Sequence, residues 1–140
     1  GDALHVVRKG ANFGWPVATR GREYRGRDEI GDLPEAREDI QNPIHVWAEP
    51  GSIAPSGLTL YRGDVFPEWR GHLFVGALAR RQLRRLKLAA DGDALEVEEE
   101  TILLNRAVGR IRAVETGPEG HLWIATDAPD GALYRLERAD

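Results

Sequence analysis

The sequence predicts an all-β chain that forms part of a β-propeller, and three observations carry that prediction. Gly71-His72-Leu73-Phe74-Val75 recurs 49 positions on as Gly120-His121-Leu122-Trp123-Ile124. Leu83-Arg84-Arg85-Leu86 likewise recurs 50 positions on as Leu133-Tyr134-Arg135-Leu136. Each copy reads as a short apolar strand, a turn and an alternating strand, and a period of about 40 to 50 residues built this way marks propeller blades. The third observation is that turn residues punctuate short apolar runs through nearly the whole chain. A blade buries both faces only against neighbours, and a ring needs at least about four blades. The 140 residues hold about two and a half to three blades by this period, so residues 1–140 are expected to be part of a single propeller domain. Its partners would be the missing blades or a self-associating copy. An open array exposes two blade faces, which predicts poor solubility or oligomerisation of the segment alone.

Element by element, Ala3 to Arg8 resembles the alternating strand of the later repeats, with Ala3-Leu4 matching Ala132-Leu133. It is expected to be the last strand of a blade that begins upstream. Gly10 to Pro16 is a compact turn, since Gly and Asn tolerate positive φ and Pro fixes the exit. Residues 19–42 are polar, charged and poor in β-branched side chains, which predicts a long inter-strand loop with a helical turn at Pro34 to Glu38. Strands follow at Pro43 to Trp47, Ser56 to Tyr61, Gly71 to Leu78 and Gln82 to Leu88. Turn chemistry at Gly51, Gly63-Asp64 and Pro67 separates them. Asp91-Gly92-Asp93 signals a hairpin into an acidic, solvent-facing strand from Leu95 to Glu100. Arg110 to Glu115, His121 to Thr126 and Ala132 to Glu137 are the last strands, with Gly117-Pro118-Glu119-Gly120 as a hairpin turn. Trp15, Trp69 and Trp123 are expected to pack between sheets. The run Glu96 to Glu100 is expected to be a solvated edge that discourages edge-to-edge pairing.

Composition narrows the function. The formal charge of −4 and a pI of about 5.6 argue against a general polyanion-binding surface, so nucleic acid is not an expected partner. Arg80, Arg81, Arg84, Arg85 and Lys87 nevertheless form a local basic cluster. Mean hydropathy is −0.44, and no apolar run approaches the ~18 residues of a membrane span. Zero Cys removes disulfides, thiolate ligands and a Cys nucleophile, and leaves the redox compartment open.

Five ordered segments carry a family resemblance: Asn12-Phe13-Gly14-Trp15-Pro16, Ser52-Ile53-Ala54-Pro55-Ser56-Gly57, Phe66-Pro67-Glu68-Trp69-Arg70-Gly71, Leu73 to Leu78, and Gly109-Arg110-Ile111-Arg112. In this order they resemble the C-terminal part of the soluble PQQ-dependent sugar dehydrogenases, the six-bladed propellers of the glucose/sorbosone dehydrogenase family, and most of all their aldose sugar dehydrogenase branch. The resemblance covers nearly the whole chain. It implies oxidation of the C1 hydroxyl of an aldose to a lactone, with hydride transfer to pyrroloquinoline quinone (PQQ) held at the propeller axis by calcium. The cofactor carries the hard chemistry, and the protein supplies orientation, charge and a base. The family's general base is a His of an earlier blade, and its calcium is held partly by carbonyls just upstream of the position aligned with Asp2. His5, His45, His72 and His121 do not align with that base, so no catalytic residue is assigned here. The resemblance further implies an external electron acceptor and a periplasmic or secreted location.

Arg110 and Arg112 are the foremost cofactor-binding candidates. Two positions apart on a strand they project to one face, and two guanidinium groups can fork onto the carboxylates of a tri-acid quinone. The competing reading is two exposed strand arginines paired with Glu115 or Glu119. Ser52 stands where the resemblance places a hydroxyl at the cofactor; otherwise it is a turn former. Asp2 aligns with an acid following the calcium loop and Asp127 with an acid after an inner strand, and both are also suited to capping turns. Two departures from the family pattern stand out. Glu49-Pro50-Gly51 replace an aromatic near the substrate, which leaves Trp47 either as its substitute or as a buried strand anchor. Ala79 replaces a cofactor-reaching Lys of some relatives, and Arg80 or Arg81 could supply that charge only if their strand faces allow it. A second, structural calcium would draw on the Phe13 carbonyl with Glu23 or Asp28; the metal ligands are otherwise unassigned. The competing functional classes are a non-catalytic propeller piece acting as an interaction module and a truncated remnant.

Overall fold

A computed structural model describes residues 1–25, 28–47, 51–92 and 94–139. Among the described residues all regular structure is β apart from two single 3-10 turns, Pro34–Ala36 and Pro67–Trp69. The strands are β1 (Asp2–Leu4), β2 (Ala18–Arg22), β3 (Glu29–Gly31), β4 (His45–Trp47), β5 (Pro55–Leu60), β6 (Leu73–Ala77), β7 (Gln82–Asp91), β8 (Ala94–Leu103), β9 (Ile111–Thr116), β10 (Leu122–Thr126) and β11 (Leu133–Arg135). They divide between two compact units, Gly1–Ser52 and Ile53–Asp140.

In the first unit β1 pairs antiparallel with β4, placing Asp2 opposite Trp47. The strand is shorter than the expected Ala3 to Arg8, because the Val6 carbonyl accepts the Gln41 side-chain amide at 2.6 Å in place of a strand partner. The expected loop over residues 19–42 also contains paired structure. Strands β2 and β3 form an antiparallel ribbon, fastened by Arg22–Glu29 at 3.2 Å. The helical turn lies within the expected segment, where Pro34 fixes φ at its first position.

In the second unit β5, β6, β7 and β8 form a four-stranded antiparallel meander, and β9, β10 and β11 a three-stranded one. The sequence repeat has a structural counterpart: its copies become β6 with β7 and β10 with β11, each opened by a left-handed glycine, Gly71 at φ 83° and Gly120 at φ 82°. The acidic strand runs longer than expected. It is an edge strand of its sheet, as expected, but Glu100 is only partly solvated, because it accepts from Arg84 Nη1 at 2.9 Å, and Arg84 is 1% exposed. Arg85 and Lys87 pair with Glu99 and Glu98 at 2.9 Å each, so most of the basic cluster is neutralised across the β7–β8 ladder. The hairpin expected at 91–93 is present as the Asp91↔Ala94 register, with Asp93 outside the described residues.

The two sheets stack with β5 and β9 running in the same direction. Tyr61, Phe66, Phe74, Leu83, Ile111, Val114, Leu122 and Ile124 form one buried cluster between them. Gly57 is required here: a Cβ would lie 2.6 Å from the Val114 nitrogen and 2.7 Å from the Ala113 Cα. Tyr61, fully buried, donates its hydroxyl to the Gly120 carbonyl at 2.6 Å and accepts from the Phe66 N–H at 3.0 Å. Trp69 packs as expected, stacked on Phe66 at 4.4 Å. Trp123 is half-buried beneath the Arg135 guanidinium, 5.7 Å from its ring centre. Trp15 differs from expectation, at 70% exposed.

Candidate functional site

Strand direction decides which side chains meet. In the second unit the loops entering β5, joining β6 to β7, joining β8 to β9 and joining β10 to β11 all lie at one end of the two sheets. Hydrogen bonds knit this end together. Leu78 N–H donates to the Ala54 carbonyl and Ala79 N–H to that of Ile53, both at 3.0 Å, and Asp127 N–H donates to the Arg110 carbonyl at 2.8 Å.

A bulge aims the arginines. Along the β9–β10 ladder Ala125 faces Ala113, but the next residue, Thr126, faces Ile111, so Arg112 is the extra residue of β9. A bulge bends its strand and re-aims side chains. Arg110 sits one residue before β9 and does not lie on a regular strand as expected, yet the two guanidinium groups converge on one oxygen. Arg110 donates to Asp127 Oδ2 from Nε and Nη2, each at 3.1 Å, and Arg112 donates from Nη2 at 3.1 Å. Arg110 Nη1 also reaches the Leu78 carbonyl at 3.5 Å. Neither Glu115 nor Glu119 is the acceptor; Asp127 is.

The electrostatics of this triad favour an anionic guest. Hydrogen bonds from Arg110, then the nearby charge of Arg112, hold the Asp127 carboxyl below the usual carboxylate range against partial desolvation. One carboxylate faces two guanidinium groups, leaving positive charge in excess. Each guanidinium carries five N–H donors, of which Arg112 spends one on Asp127 and Arg110 two. The side chains of Arg110 and Arg112 are 44% and 55% exposed. The triad is thus a preoriented, open receptor for a carboxylate or phosphate.

The other expected site residues fall in the first unit. Ser52 Oγ donates to Asp2 Oδ2 at 2.7 Å, joining two candidates fifty residues apart in sequence. Trp47 is 4% exposed and lies edge-on to His45 at 4.9 Å, a buried strand anchor in place of a sugar platform. Glu49 and Pro50 lie outside the described residues. Three of the histidines have structural contacts: His5 meets Phe13 edge-on at 5.0 Å, His45 meets Trp47, and His121 Nδ1 lies 3.0 Å from the Leu136 carbonyl. Burial lowers the pKa of His5 and His72. Among the described residues no group of three or more His, Cys, Asp or Glu could hold a metal ion, and Glu23 and Asp28 meet through a backbone hydrogen bond of 2.9 Å. The shared-acceptor role of Asp127 was not read from the sequence; its place after the inner strand was the available signal.

The fold and the triad define an all-β protein with two arginines gathered on one carboxylate at one strand end. Residues 1–135 match the family model for glucose/sorbosone dehydrogenases, and the chain belongs to that family. It is 37% identical over 140 residues to the aldose sugar dehydrogenase YliI of Escherichia coli, a match spanning 97% of this chain and 35% of that protein. A crystal structure of a glucose dehydrogenase superposes with a TM-score of 0.85 at 39% identity, covering 99% of this chain and 38% of that one. The PQQ-bound form of an aldose sugar dehydrogenase from Streptomyces coelicolor shares the fold, with a TM-score of 0.64 at 24% identity over 97% of this chain and 36% of its own. The chain therefore spans about a third of the length of the relatives it matches.

Proposed function

We propose that this chain supplies part of the cofactor wall of a six-bladed propeller enzyme, a PQQ- and calcium-dependent dehydrogenase that oxidises the C1 hydroxyl of aldoses to lactones. The convergence of Arg110 and Arg112 on Asp127 carries this reading. A tri-carboxylate quinone needs cationic, forked donors whose geometry exists before it arrives, and the triad offers them. The four-stranded and three-stranded meanders, stacked in the same order as the sequence repeat, support the propeller. A quinone held by these residues would supply the hydride acceptor for the sugar's C1. The residues of this chain orient it: Arg110 and Arg112 bind carboxylate, Asp127 fixes the angle between them, and the Leu78 carbonyl restrains Arg110.

Among the described residues no three His, Cys, Asp or Glu side chains come together as a metal site, and the calcium of this reading is held largely by carbonyl oxygens outside these residues. Ser52 and Asp2, joined by their hydrogen bond of 2.7 Å, are further cofactor-binding candidates of the first unit. Among the described residues no helix is long and apolar enough to cross a membrane, and the periplasmic location follows from the family reading. Ala79, which supplies no charge beside the triad, favours a second reading in which this segment is a non-catalytic interaction module.

The test is PQQ titration by calorimetry, with and without calcium, on wild type and on Arg110→Ala and Arg112→Ala. A charge-assisted hydrogen bond is worth about 1.5 to 3 kcal/mol, so each substitution should weaken binding by roughly 10-fold or more. Unchanged affinity in the double variant would remove the cofactor-wall reading. Calcium- and PQQ-dependent dye reduction with glucose separates the enzyme from the interaction module.

A further inference from the structure

Charge in the second unit is unevenly placed along the strand direction. Three of the loops at the triad end together with the start of β9, residues 78–81, 104–112 and 127–132, hold Arg80, Arg81, Arg106, Arg110 and Arg112 against Asp127 and Asp130. At the opposite end arginine and acid are matched locally, with Arg70 bonded to Asp64 and Arg138 to Glu68. Two of the triad-end arginines stand apart from the triad. Arg106 N–H donates to the Arg81 carbonyl at 2.8 Å, tying the two loops together. Both residues adopt the left-handed region, at φ 57° for Arg81 and 58° for Arg106, and both are exposed. Among the described residues neither enters an ion pair. Two adjacent arginines outside any ion pair therefore stand at the end of the second unit that carries the triad. Five arginines against two acids in these segments make the end locally positive, which attracts an acidic body and orients its approach before contact.

We propose that this arginine-bordered end docks an acidic electron-accepting protein, with Arg106 at the contact. The inference rests on the dehydrogenase reading for the source of electrons. Oxidation of one aldose to its lactone releases two electrons and two protons; a one-electron haem acceptor is reduced twice per sugar, and the protons pass to water. The dehydrogenase reading supplies electrons that a lipid surface cannot accept, so the occupant is an acidic protein, and binding to an anionic membrane is an outcome of the test.

The experiment uses the full-length holoenzyme and an acidic cytochrome as probe. Binding is read by fluorescence anisotropy at low salt and at about 0.2 M salt, where the Debye length falls below about 8 Å. Turnover is read separately with a small uncharged quinone acceptor. The expected result is salt-sensitive binding that R106E weakens by about tenfold and R106K restores, with quinone-linked turnover unchanged. Binding indifferent to salt or to R106E overturns the proposal, as does equal binding of a basic cytochrome or preferential binding of phosphatidylserine vesicles. If wild type shows no quinone-linked turnover yet binds the acidic cytochrome through Arg106, the dehydrogenase reading falls and the docking face stands. If turnover is normal and Arg106 is without effect, the docking face alone falls.

Discussion

Gly57→Ala tests whether the contact between the two sheets of the second unit positions the triad. The Gly57 backbone lies outside the left-handed region, so alanine is conformationally acceptable there and its only direct cost is space. Its Cβ would sit 2.6 Å from the Val114 nitrogen, 2.7 Å from the Ala113 Cα and 3.0 Å from the Ala113 carbonyl carbon. All three are main-chain atoms of β9 and cannot rotate away. Reaching ordinary contact at 3.4 Å requires β9 to retreat by about 0.8 Å, a displacement that a close-packed interior resists. The retreat acts on a neighbouring hydrogen bond, because Ser56 Oγ donates to the Ile111 carbonyl at 2.7 Å while also touching that of Gly76 at 3.0 Å. Overpacking costs about 1 to 3 kcal/mol and weakening that hydrogen bond about 1. Loss of unfolded-chain entropy on replacing glycine returns about 0.4 to 1. The expected net is a destabilisation of about 2 kcal/mol in equilibrium urea unfolding, with an unchanged denaturant slope. Arg110 and Arg112 ride at the start of β9, so PQQ affinity should fall in the same variant. A Gly57→Ala protein as stable as wild type would refute the close sheet contact and the positioning argument built on it.

Tyr61→Phe should destabilise the protein by about 2 to 3 kcal/mol, since it strips the buried Phe66 N–H and Gly120 carbonyl of their shared partner; an unfolding midpoint equal to wild type would contradict that clasp. The Asp127 carboxyl should titrate below its ordinary value near 3.8, as followed by carbon-13 NMR. Because its folded pKa is depressed, the stabilisation it gives the arginine pair is complete above the unfolded pKa and disappears as pH falls through the folded one. In Arg110→Ala the resonance should move back toward the ordinary value, and its failure to move would deny that Arg110 is the chief cause.

Legibility followed the range of the interaction. Gly71 and Gly120 were readable because both the turn and the apolar strand that follows are local, and the structure gives the two copies φ values one degree apart. The β2–β3 ribbon was not readable. Thr19, Arg20, Arg22 and Glu29 show no apolar alternation, and the ribbon carries exposed contacts such as Arg22–Glu29 at 3.2 Å. Such pairing leaves little trace in hydrophobic pattern. The same-face relation of Arg110 and Arg112 was suggested by spacing, but their acceptor was not. It lies 15 and 17 residues downstream, beyond the intervening strand β10, so no local spacing names it. Alternation places residues two apart on one face, and that much of the pair is local. Which acid closes the pair is set by the β9–β10 pairing, where Thr126 stands opposite Ile111, and by the Asp127 N–H that donates to the Arg110 carbonyl at 2.8 Å. The residue types of the candidate site are therefore written in the sequence, while the acceptor that joins them depends on a long-range pairing that alternation patterns do not encode.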